Sequence, residues 1–338
     1  MPSQLFAENY LEKLSQCPYC SSGDLFFLLQ ASDRLGEKPG IFYLEKCRHC
    51  ALVFQNPRVR EENISFYYNI GPYAFLPLAS KEEEKSGFWQ QIQKRTLIEH
   101  FGYSTGKKNS LLYLLTFPFK RILKIKSFPD FKKQGNLLEI GCSNGDFLLQ
   151  LKTLGWKVKG IEMAEASSDF GRNIRGLDIE NKRIEECSFK NQEFDAIVLR
   201  MVLEHLYQPF DSLKEITAWL KKDGQLVFSI PYFNGFEFQL FKSYSYGLQL
   251  PTHITFFNKK IIKEVLENLG YQKIKFYHHF FERDIVASAE YKYQDLGKYW
   301  WKVIARNKAI RTFVIKPFVI LLSLFGKTSR VTIYAQKN

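Results

Sequence analysis

The sequence lacks a long uninterrupted apolar run and is short of acidic residues. Its longest apolar stretch, Phe313 to Phe325, contains Lys316 and Pro317 and is too short to cross a bilayer. The amino end carries acids early and has no basic start followed by an apolar run, so we predict no signal peptide and a cytoplasmic location. The 35 acids are outnumbered by 48 lysines and arginines, which gives a formal net charge of +13. This excess indicates an anionic partner, such as nucleic acid, acidic lipid or a phosphorylated substrate.

Cysteine is also scarce, but four of the six cysteines form two identical hooks. They are "CPYC", with Cys17 and Cys20, and "CRHC", with Cys47 and Cys50. Two thiolates at this spacing on a tight knuckle can reach one tetrahedral Zn²⁺, whereas structural disulfides are rare in a cytosolic chain. Four thiolates leave no open position for a catalytic water. The hooks therefore predict a structural zinc in a ribbon whose intervening residues form a β-hairpin.

From Gln134 onward the pattern alternates strands and helices, which predicts a doubly wound α/β sheet with ligands at the carboxyl ends of its strands. A first strand runs into the turn of "LEIGCSNGDF", where Gly141 and Gly145 allow a tight bend and close approach to a ligand. Glu162 follows the second strand and can accept hydrogen bonds from two ribose hydroxyls. The ligand should therefore carry a nucleoside. NAD is disfavoured because the fingerprint G-x-G-x-x-G is absent.

These residues resemble the class I S-adenosylmethionine-dependent methyltransferases. The family's first motif is similar to E/D-x-G-x-G-x-G, and this chain has Glu139, Gly141 and Gly145, with Ser143 in place of the middle glycine. The segments "FDAIVLRMVLEHL", "LKKDGQLVFSIP" and "LPTHITFF" extend the resemblance. The order of cysteine hooks, "VFQNPR", "YY" and core resembles a subgroup with a zinc-binding amino end. The resemblance implies a Rossmann-like methyltransferase sheet with an N-terminal zinc ribbon and helical additions.

The resemblance also implies a donor site for S-adenosylmethionine. The turn and Glu139 are expected to face its methionine part, Glu162 its ribose, and Ile184 and Glu185 its adenine. Arg200 and Met201 would lie beside the transferred methyl. A competing interpretation is that Glu139 only accepts backbone amides under the turn. The full predicted donor set is Glu139, Gly141, Cys142, Ser143, Gly145, Glu162, Met163, Ile184, Glu185, Arg200 and Met201.

Methyl transfer from a sulfonium is an in-line displacement, and an acceptor can also require a general base. His253 lies in the connection after the fifth strand, which we expect to be a lid over the acceptor, and His205 follows the fourth strand. Both are candidate bases, and the alternative for each is a hydrogen bond that only holds the chain in place. Tyr232 and Asn234 follow the fifth strand and are predicted to contact the acceptor.

We predict three units in the chain. A zinc ribbon would occupy residues 1–70, a helical linker or cap 71–133, and the methyltransferase domain 134–338. The methyltransferase domain includes the lid (232–258) and a basic helical arm (292–327) before a final edge strand. The basic apolar segments can be helices packed on the domain with solvated lysines, or surfaces that touch the inner face of a membrane.

Three functions are compatible with these features. The leading one is methyl transfer to a small or lipid-linked anionic acceptor, such as a sugar or a cell-envelope precursor of O-antigen or lipopolysaccharide type, because subgroup members commonly modify such molecules. The second is an RNA methyltransferase whose ribbon binds nucleic acid, which the weakly basic ribbon disfavours. The third is a non-catalytic scaffold, which would have no need of a ribose-binding acid at Glu162.

Overall fold

The computed structural model describes residues 10–68, 87–103 and 109–338. Within these ranges the strands form three sheets. The strands are β1 (Leu11–Glu12), β2 (Leu25–Ser32), β3 (Ile41–Cys47), β4 (Val53–Gln55), β5 (Arg58–Val59), β6 (Asn136–Ile140), β7 (Lys157–Ile161), β8 (Ile179–Glu180), β9 (Phe194–Arg200), β10 (Leu220–Pro231), β11 (Thr255–Phe256), β12 (Tyr271–His278) and β13 (Arg330–Lys337).

The helices cover both faces of the largest sheet and extend beyond it. They are α1 (Ser65–Tyr68), α2 (Gly87–Phe101), α3 (Ser110–Ile125), α4 (Asp146–Thr153), α5 (Glu165–Asn173), α6 (Pro209–Trp219), α7 (Phe236–Phe241), α8 (Lys259–Asn268), α9 (Arg283–Leu296), α10 (Tyr299–Arg306), α11 (Lys308–Ile310) and α12 (Lys316–Leu324). None of the helices in the described part of the chain combines the length and the apolar character that a bilayer crossing requires.

The largest sheet has seven strands in the order β12-β13-β10-β9-β6-β7-β8. The five strands from β10 to β8 are parallel, and β13 and β12 run antiparallel to their neighbours. Strand β6 is buried from Leu137 to Ile140, as expected for a parallel strand covered by helices on both faces. This arrangement confirms the predicted doubly wound α/β sheet.

The final strand differs from its prediction as an edge strand. Strand β13 lies inside the sheet between β10 and β12, and β12 forms the edge. The physical reason is visible in its burial, because consecutive residues from Val331 to Ala335 are all buried. A strand with both faces covered belongs in the interior of a sheet, whereas alternation with polar residues is typical of a half-exposed strand.

The ribbon sheet has the order β11-β4-β3-β2, so its last strand comes from the predicted lid. Thr255 pairs with Phe54, and the amide of Gln55 donates to the carbonyl of Ile254 at 2.8 Å. Cys17 and Cys47 share an apolar cluster with Phe257 and Ile261 of the large domain. The amino-terminal unit therefore packs on the large domain, and the segment predicted to be a lid is largely a buried connection between them.

The helical additions lie beside one another at the β12 edge. The Arg121 guanidinium on α3 donates to the carbonyl of Ser323 on α12 at 2.8 Å and to that of His278 on β12 at 3.2 Å. The predicted basic arm from residue 292 begins within α9. The sequence pattern predicts the cap helix α2 from residue 81, with a capping box at Ser80 and Glu83; residues 81–86 and both capping residues lie outside the described ranges.

Candidate active site

A cavity of about 1480 Å³ lies at the carboxyl ends of β6, β7 and β9. Its wall takes residues from the amino-terminal unit, from α2 and the end of α3, and from the large sheet. Pockets for one small ligand commonly measure about 300 to 1000 Å³. The cavity is therefore large enough for a donor and an acceptor together.

The turn after β6 forms one end of the cavity, which we call the donor end. Gly141, Ser143 and Gly145 adopt positive φ angles of 68°, 50° and 79°. A Cβ atom at Gly141 would lie 2.5 Å from Val202 Cγ2, and one at Gly145 would collide with Leu177. Gly141 and Ser143 line the cavity, whereas Gly145 caps α4 behind the wall. Both glycines are thus required by geometry, but only Gly141 faces the cavity.

Glu162 lines the donor end of the cavity, and two backbone amides hold its carboxylate in place. The carboxylate accepts the Ser143 amide on Oε2 and the Ala164 amide on Oε1, both at 2.8 Å. Burial raises the pKa of Glu162, and these backbone amides oppose the rise. Each carboxylate oxygen has a second lone pair, so the two oxygens can still accept two hydroxyl groups from the cavity.

Glu139 occupies a different position from the predicted one. It is fully buried beneath the turn and does not line the cavity. Its Oε1 accepts a hydrogen bond from Arg200 Nε at 3.1 Å, and Arg200 does line the cavity. Burial raises the pKa of Glu139 to about 7 against the opposing effect of Arg200. Glu139 therefore positions the Arg200 guanidinium, and it accepts no backbone amide among the described residues.

The remaining predicted donor residues also divide into those that line the cavity and those that do not. Met163, Ile184, Glu185 and Met201 line the cavity. Cys142 does not, because its side chain turns into the apolar cluster below the turn and is only 2% exposed. Of the eleven predicted donor residues, the structure brings eight to the cavity and leaves Glu139, Cys142 and Gly145 behind its wall.

Another part of the cavity wall, which we call the acceptor end, contains both candidate histidines. His205 Nδ1 lies 2.8 Å from the carbonyl oxygen of Thr252 and 2.9 Å from the Tyr68 hydroxyl. His253 is fully buried, with Nδ1 3.0 Å from the carbonyl oxygen of Gly247. Burial lowers the pKa of His205 to about 4 and that of His253 well below its usual range, so both imidazoles are neutral near pH 7.

Glu204 lies beside the two histidines but was not among the predicted site residues. Its side chain is fully buried, and neither carboxylate oxygen has a hydrogen-bond partner among the described residues. Burial raises its pKa to about 8. Its Oε1 lies 3.9 Å from His253 Nε2. One ligand atom each from Glu204, His205 and His253 fall within 4.8 Å of one another.

The structure does not bring Tyr232 and Asn234 to the cavity. The Tyr232 amide donates to the carbonyl of Ser329 at 2.7 Å, and its ring packs edge-on against His278. Asn234 is exposed, and its carbonyl accepts from the Gln239 side chain. The turn after β10 follows β13 away from the cavity, so the predicted acceptor contacts of these two residues have no support here.

The acceptor end also contains cationic residues that the sequence patterns did not reveal. Arg283 and Arg330 line the cavity, with their guanidinium groups 4.9 and 5.6 Å from the Tyr246 ring centre. Arg330 is paired with Asp284 at 3.0 Å. No local motif marks these residues, because α9 and β13 bring them together from distant parts of the chain.

The four hook cysteines converge as predicted. The Sγ atoms of Cys17 and Cys50, and those of Cys20 and Cys47, are 3.5 Å apart, and all four lie within 4.8 Å. Tetrahedral coordination with Zn–S bonds of about 2.3 Å would place the sulfur atoms roughly 3.8 Å apart. The cluster therefore fits a single tetrahedral metal ion.

Comparison with known proteins identifies the central domain. Residues 116–275, a little under half of the chain, match a family model described as a methyltransferase domain. An uncharacterized protein of Methanocaldococcus jannaschii is 26% identical over 142 residues, which are 42% of this chain and 67% of that protein. The ubiquinone biosynthesis O-methyltransferase of Coxiella burnetii is 29% identical over 102 residues, 29% of this chain and 44% of that enzyme.

Among solved structures, an S-adenosylmethionine-dependent methyltransferase of Thermotoga maritima is similar with a TM-score of 0.44 and 18% identity. The match covers 75% of this chain and 97% of that one. The chain spans less than half the length of the Coxiella enzyme. The family match and the observed sheet together show that the chain carries a Rossmann-like methyltransferase domain.

Proposed function

We propose that the protein transfers the methyl group of S-adenosylmethionine to an anionic, lipid-linked acceptor such as a sugar or cell-envelope precursor. The observation that carries this proposal is one continuous cavity, which joins the turn after β6 to an acceptor end containing Arg283 and Arg330. At the donor end, Ser143 and Gly141 approach the methionine part and Glu162 accepts the ribose hydroxyls. Ile184 and Glu185 contact the adenine.

The cationic acceptor end supports an anionic acceptor. Arg283 has no acidic partner among the described ion pairs, whereas Arg330 is neutralised by Asp284. A planar guanidinium can bind a phosphate or carboxylate through two hydrogen bonds. Arg283 is therefore the residue that we assign to the charged group of the acceptor.

Exposed apolar side chains support a lipid-linked acceptor. Leu111 and Leu114 on α3 are 66% and 70% exposed, and Phe313 and Phe325 in the arm are 79% and 71% exposed. The two elements are joined by the Arg121 contacts, and the end of α3 continues into the cavity wall at Lys126. Apolar side chains interleaved with lysines on a strongly cationic protein suit an anionic membrane surface.

Two measurements test the function. Calorimetry should show binding of S-adenosylhomocysteine by the full chain, and its absence would refute the donor assignment. Isotope-labelled S-adenosylmethionine should then label the lipid fraction of cells that express the protein. Label found only in RNA would instead establish the RNA methyltransferase alternative, and no label in any fraction would favour the scaffold.

The membrane contact has its own test. We expect co-sedimentation with phosphatidylglycerol vesicles and much weaker binding to phosphatidylcholine vesicles. Substituting Leu114→Glu together with Phe325→Glu should abolish it. Phe27→Glu is the matched control, since Phe27 is 58% exposed but lies on the ribbon hairpin. Equal binding by the double variant and the control would contradict a membrane role for the helical additions.

We also propose that the cysteine cluster holds one structural zinc ion. Two pairs of Sγ atoms are 3.5 Å apart and all four lie within 4.8 Å, which is close to the separation of roughly 3.8 Å that tetrahedral thiolate coordination needs. Zinc there would fix the two cysteine hooks, of which the first precedes β2 and the second begins at the last residue of β3. Since β4 pairs with β11, the ion would also support the connection that carries His253.

A further inference from the structure

A second group of metal-ligand residues lies at the acceptor end, in addition to the cysteine cluster. Glu204 and His205 follow β9, and His253 precedes β11. The chain fixes their backbones together, because the Ile254 amide donates to the Glu204 carbonyl at 2.8 Å. Their ligand atoms lie within 4.8 Å of one another, and both imidazoles line the cavity.

The hydrogen bonds of the two histidines define where their lone pairs are. In both rings, Nδ1 faces a backbone carbonyl, that of Thr252 for His205 and that of Gly247 for His253. A carbonyl can only accept, so Nδ1 must carry the proton and Nε2 the lone pair. Metal-binding histidines are oriented in this way, with the second ring nitrogen donating to a carbonyl or carboxylate.

The Glu204 carboxylate lacks the partner that a buried acid needs. Both of its oxygens are without hydrogen bonds among the described residues, although the side chain is fully buried. His253 Nε2 lies 3.9 Å from Glu204 Oε1. This distance is too long for a hydrogen bond, so the Glu204 carboxyl group and the His253 imidazole do not hydrogen-bond to each other. A buried carboxyl group without hydrogen bonds is costly, and a cation between these three groups would remove that cost.

We propose that Glu204, His205 and His253 bind one divalent first-row transition-metal ion, with its remaining positions open to the cavity. Two imidazoles and one carboxylate are a ligand set that such ions accept. Bonds of about 2.0 to 2.2 Å would place neighbouring ligand atoms roughly 3.0 to 3.6 Å apart. The observed 3.9 Å separation between His253 Nε2 and Glu204 Oε1 therefore needs only a small closure.

The role of this ion rests on the proposed function. An acceptor hydroxyl bound to the ion loses its proton to water more easily, because the cation stabilises the resulting alkoxide. The oxygen then forms a bond to the methyl carbon, the C–S bond breaks, and its electron pair stays on sulfur to give the neutral thioether. The two histidines are then ligands, and no imidazole has to act as a base.

Manganese is a suitable probe, because Mn²⁺ prefers oxygen and nitrogen ligands while the thiolate cluster retains zinc. The full zinc-containing chain should bind one Mn²⁺ in calorimetry and in spin-resonance titration, without donor or acceptor. Loss of a supporting contact to a metal ligand typically weakens binding about 10- to 100-fold. Glu204→Gln, which loses a ligand itself, should weaken binding by at least about a hundredfold.

Glu237→Gln is the matched control. Glu237 is also buried, and burial raises its pKa to about 7, but its carboxylate is bound to Ser329 and lies outside the cavity wall. It should bind Mn²⁺ like the unmodified chain. His253→Gln provides a second variant if Glu204→Gln does not fold, and it should lose binding to a similar extent.

The outcomes separate this proposal from the proposed function. Unchanged Mn²⁺ affinity in the folded Glu204 or His253 variant would overturn the site, as would no binding of Mn²⁺, Co²⁺, Ni²⁺ or additional Zn²⁺ by the full chain. S-adenosylhomocysteine binding, measured on the same samples, reports on the donor end alone. It should persist in both variants even where the cation is lost.

Discussion

The donor end and the acceptor end of the cavity are built in opposite ways. The donor end comes from one stretch of chain, residues 136–201, in which successive strands end beside one another. The acceptor end combines His205 with Gln249, His253, Arg283 and Arg330, which are far apart in sequence. A local stretch leaves a motif that can be read directly, whereas a site assembled from distant segments does not. The two ends should consequently respond differently to substitution.

Removing the zinc should have the largest effect on stability, and this effect should be concentrated at the acceptor end. Cys17→Ser with Cys47→Ser should abolish zinc binding and destabilise the chain by several kcal/mol, since structural zinc contributes about 10 to 16 kcal/mol in small zinc domains. Metal analysis and thermal unfolding measure both effects. Hydrogen exchange should rise more at residues 253–257 than at 137–146, because β11 pairs with the ribbon.

Cys187→Ser is the control for that experiment. Cys187 packs in the same apolar cluster as Cys17 and Cys47 but lies outside the cysteine group that converges on the metal position. It should keep one zinc per chain. If the double variant also keeps its zinc, the metal assignment is wrong.

The sequence predicted the donor end far better than the acceptor end, for a physical reason. Gly141 and Glu162 are required by a tight turn and by ribose chemistry, so they are recognisable in a single sequence. Glu139 was misplaced because an acid in a strand gives no indication that its partner is Arg200, 61 residues later. The sheet class followed from alternating patterns. The internal position of β13 did not, because strand order depends on tertiary packing.

The acceptor end shows the same limit more sharply. Glu204 adjoins His205 in the sequence, but nothing local indicates that His253 faces it or that both carboxylate oxygens lack partners. Tyr232 and Asn234 were predicted to contact the acceptor only from their place after β10. The turn that follows β10 instead packs toward Ser329. The place of a residue directly after a strand therefore predicted that it lies where the strands of the sheet end. It did not predict the direction in which its side chain points.

Gly141→Val should be the strongest single change at the donor end. The added side chain is strained at a φ of 68° and would collide with Val202, 2.5 Å from the new Cβ. Backbone strain and overpacking together should cost about 2 to 6 kcal/mol of stability. S-adenosylhomocysteine binding should be lost in calorimetry.

Gly176→Val separates strain from obstruction. Gly176 has a similar φ of 61°, but nothing lies within 4 Å of its added Cβ. It should lose some stability and keep its donor affinity. Equal donor affinity in the Gly141 and Gly176 variants would show that the turn does not approach the ligand.

Glu162→Ala should have an intermediate effect, confined to donor binding. Losing hydrogen bonds to a charged group costs roughly 1.5 to 3 kcal/mol, or about 10- to 100-fold in affinity. Calorimetry with S-adenosylhomocysteine measures this loss, while Mn²⁺ binding at the acceptor end should not change. Asp169→Ala, an exposed change on the neighbouring helix α5, should leave donor affinity intact. A Glu162 variant that binds as tightly as this control would place the ribose elsewhere.

The smallest effect is the pH dependence of stability that Glu139 imposes on the donor end. Its pKa in the folded chain is raised to about 7 from 4.5, so the folded state retains a proton that the unfolded state has lost. The resulting stability is fully present below about pH 4.5 and is lost as the pH rises through about 7. Between pH 6 and pH 8 this carboxyl should lower the free energy of unfolding by roughly 1 kcal/mol, and Glu139→Gln should remove that difference in urea unfolding. Glu180→Gln is the control, because Lys159 and Lys182 lower the pKa of Glu180 and place its titration below this window. If Glu139→Gln leaves the difference between pH 6 and pH 8 unchanged, Arg200 must keep Glu139 ionised throughout, and the donor end would carry a permanent buried ion pair.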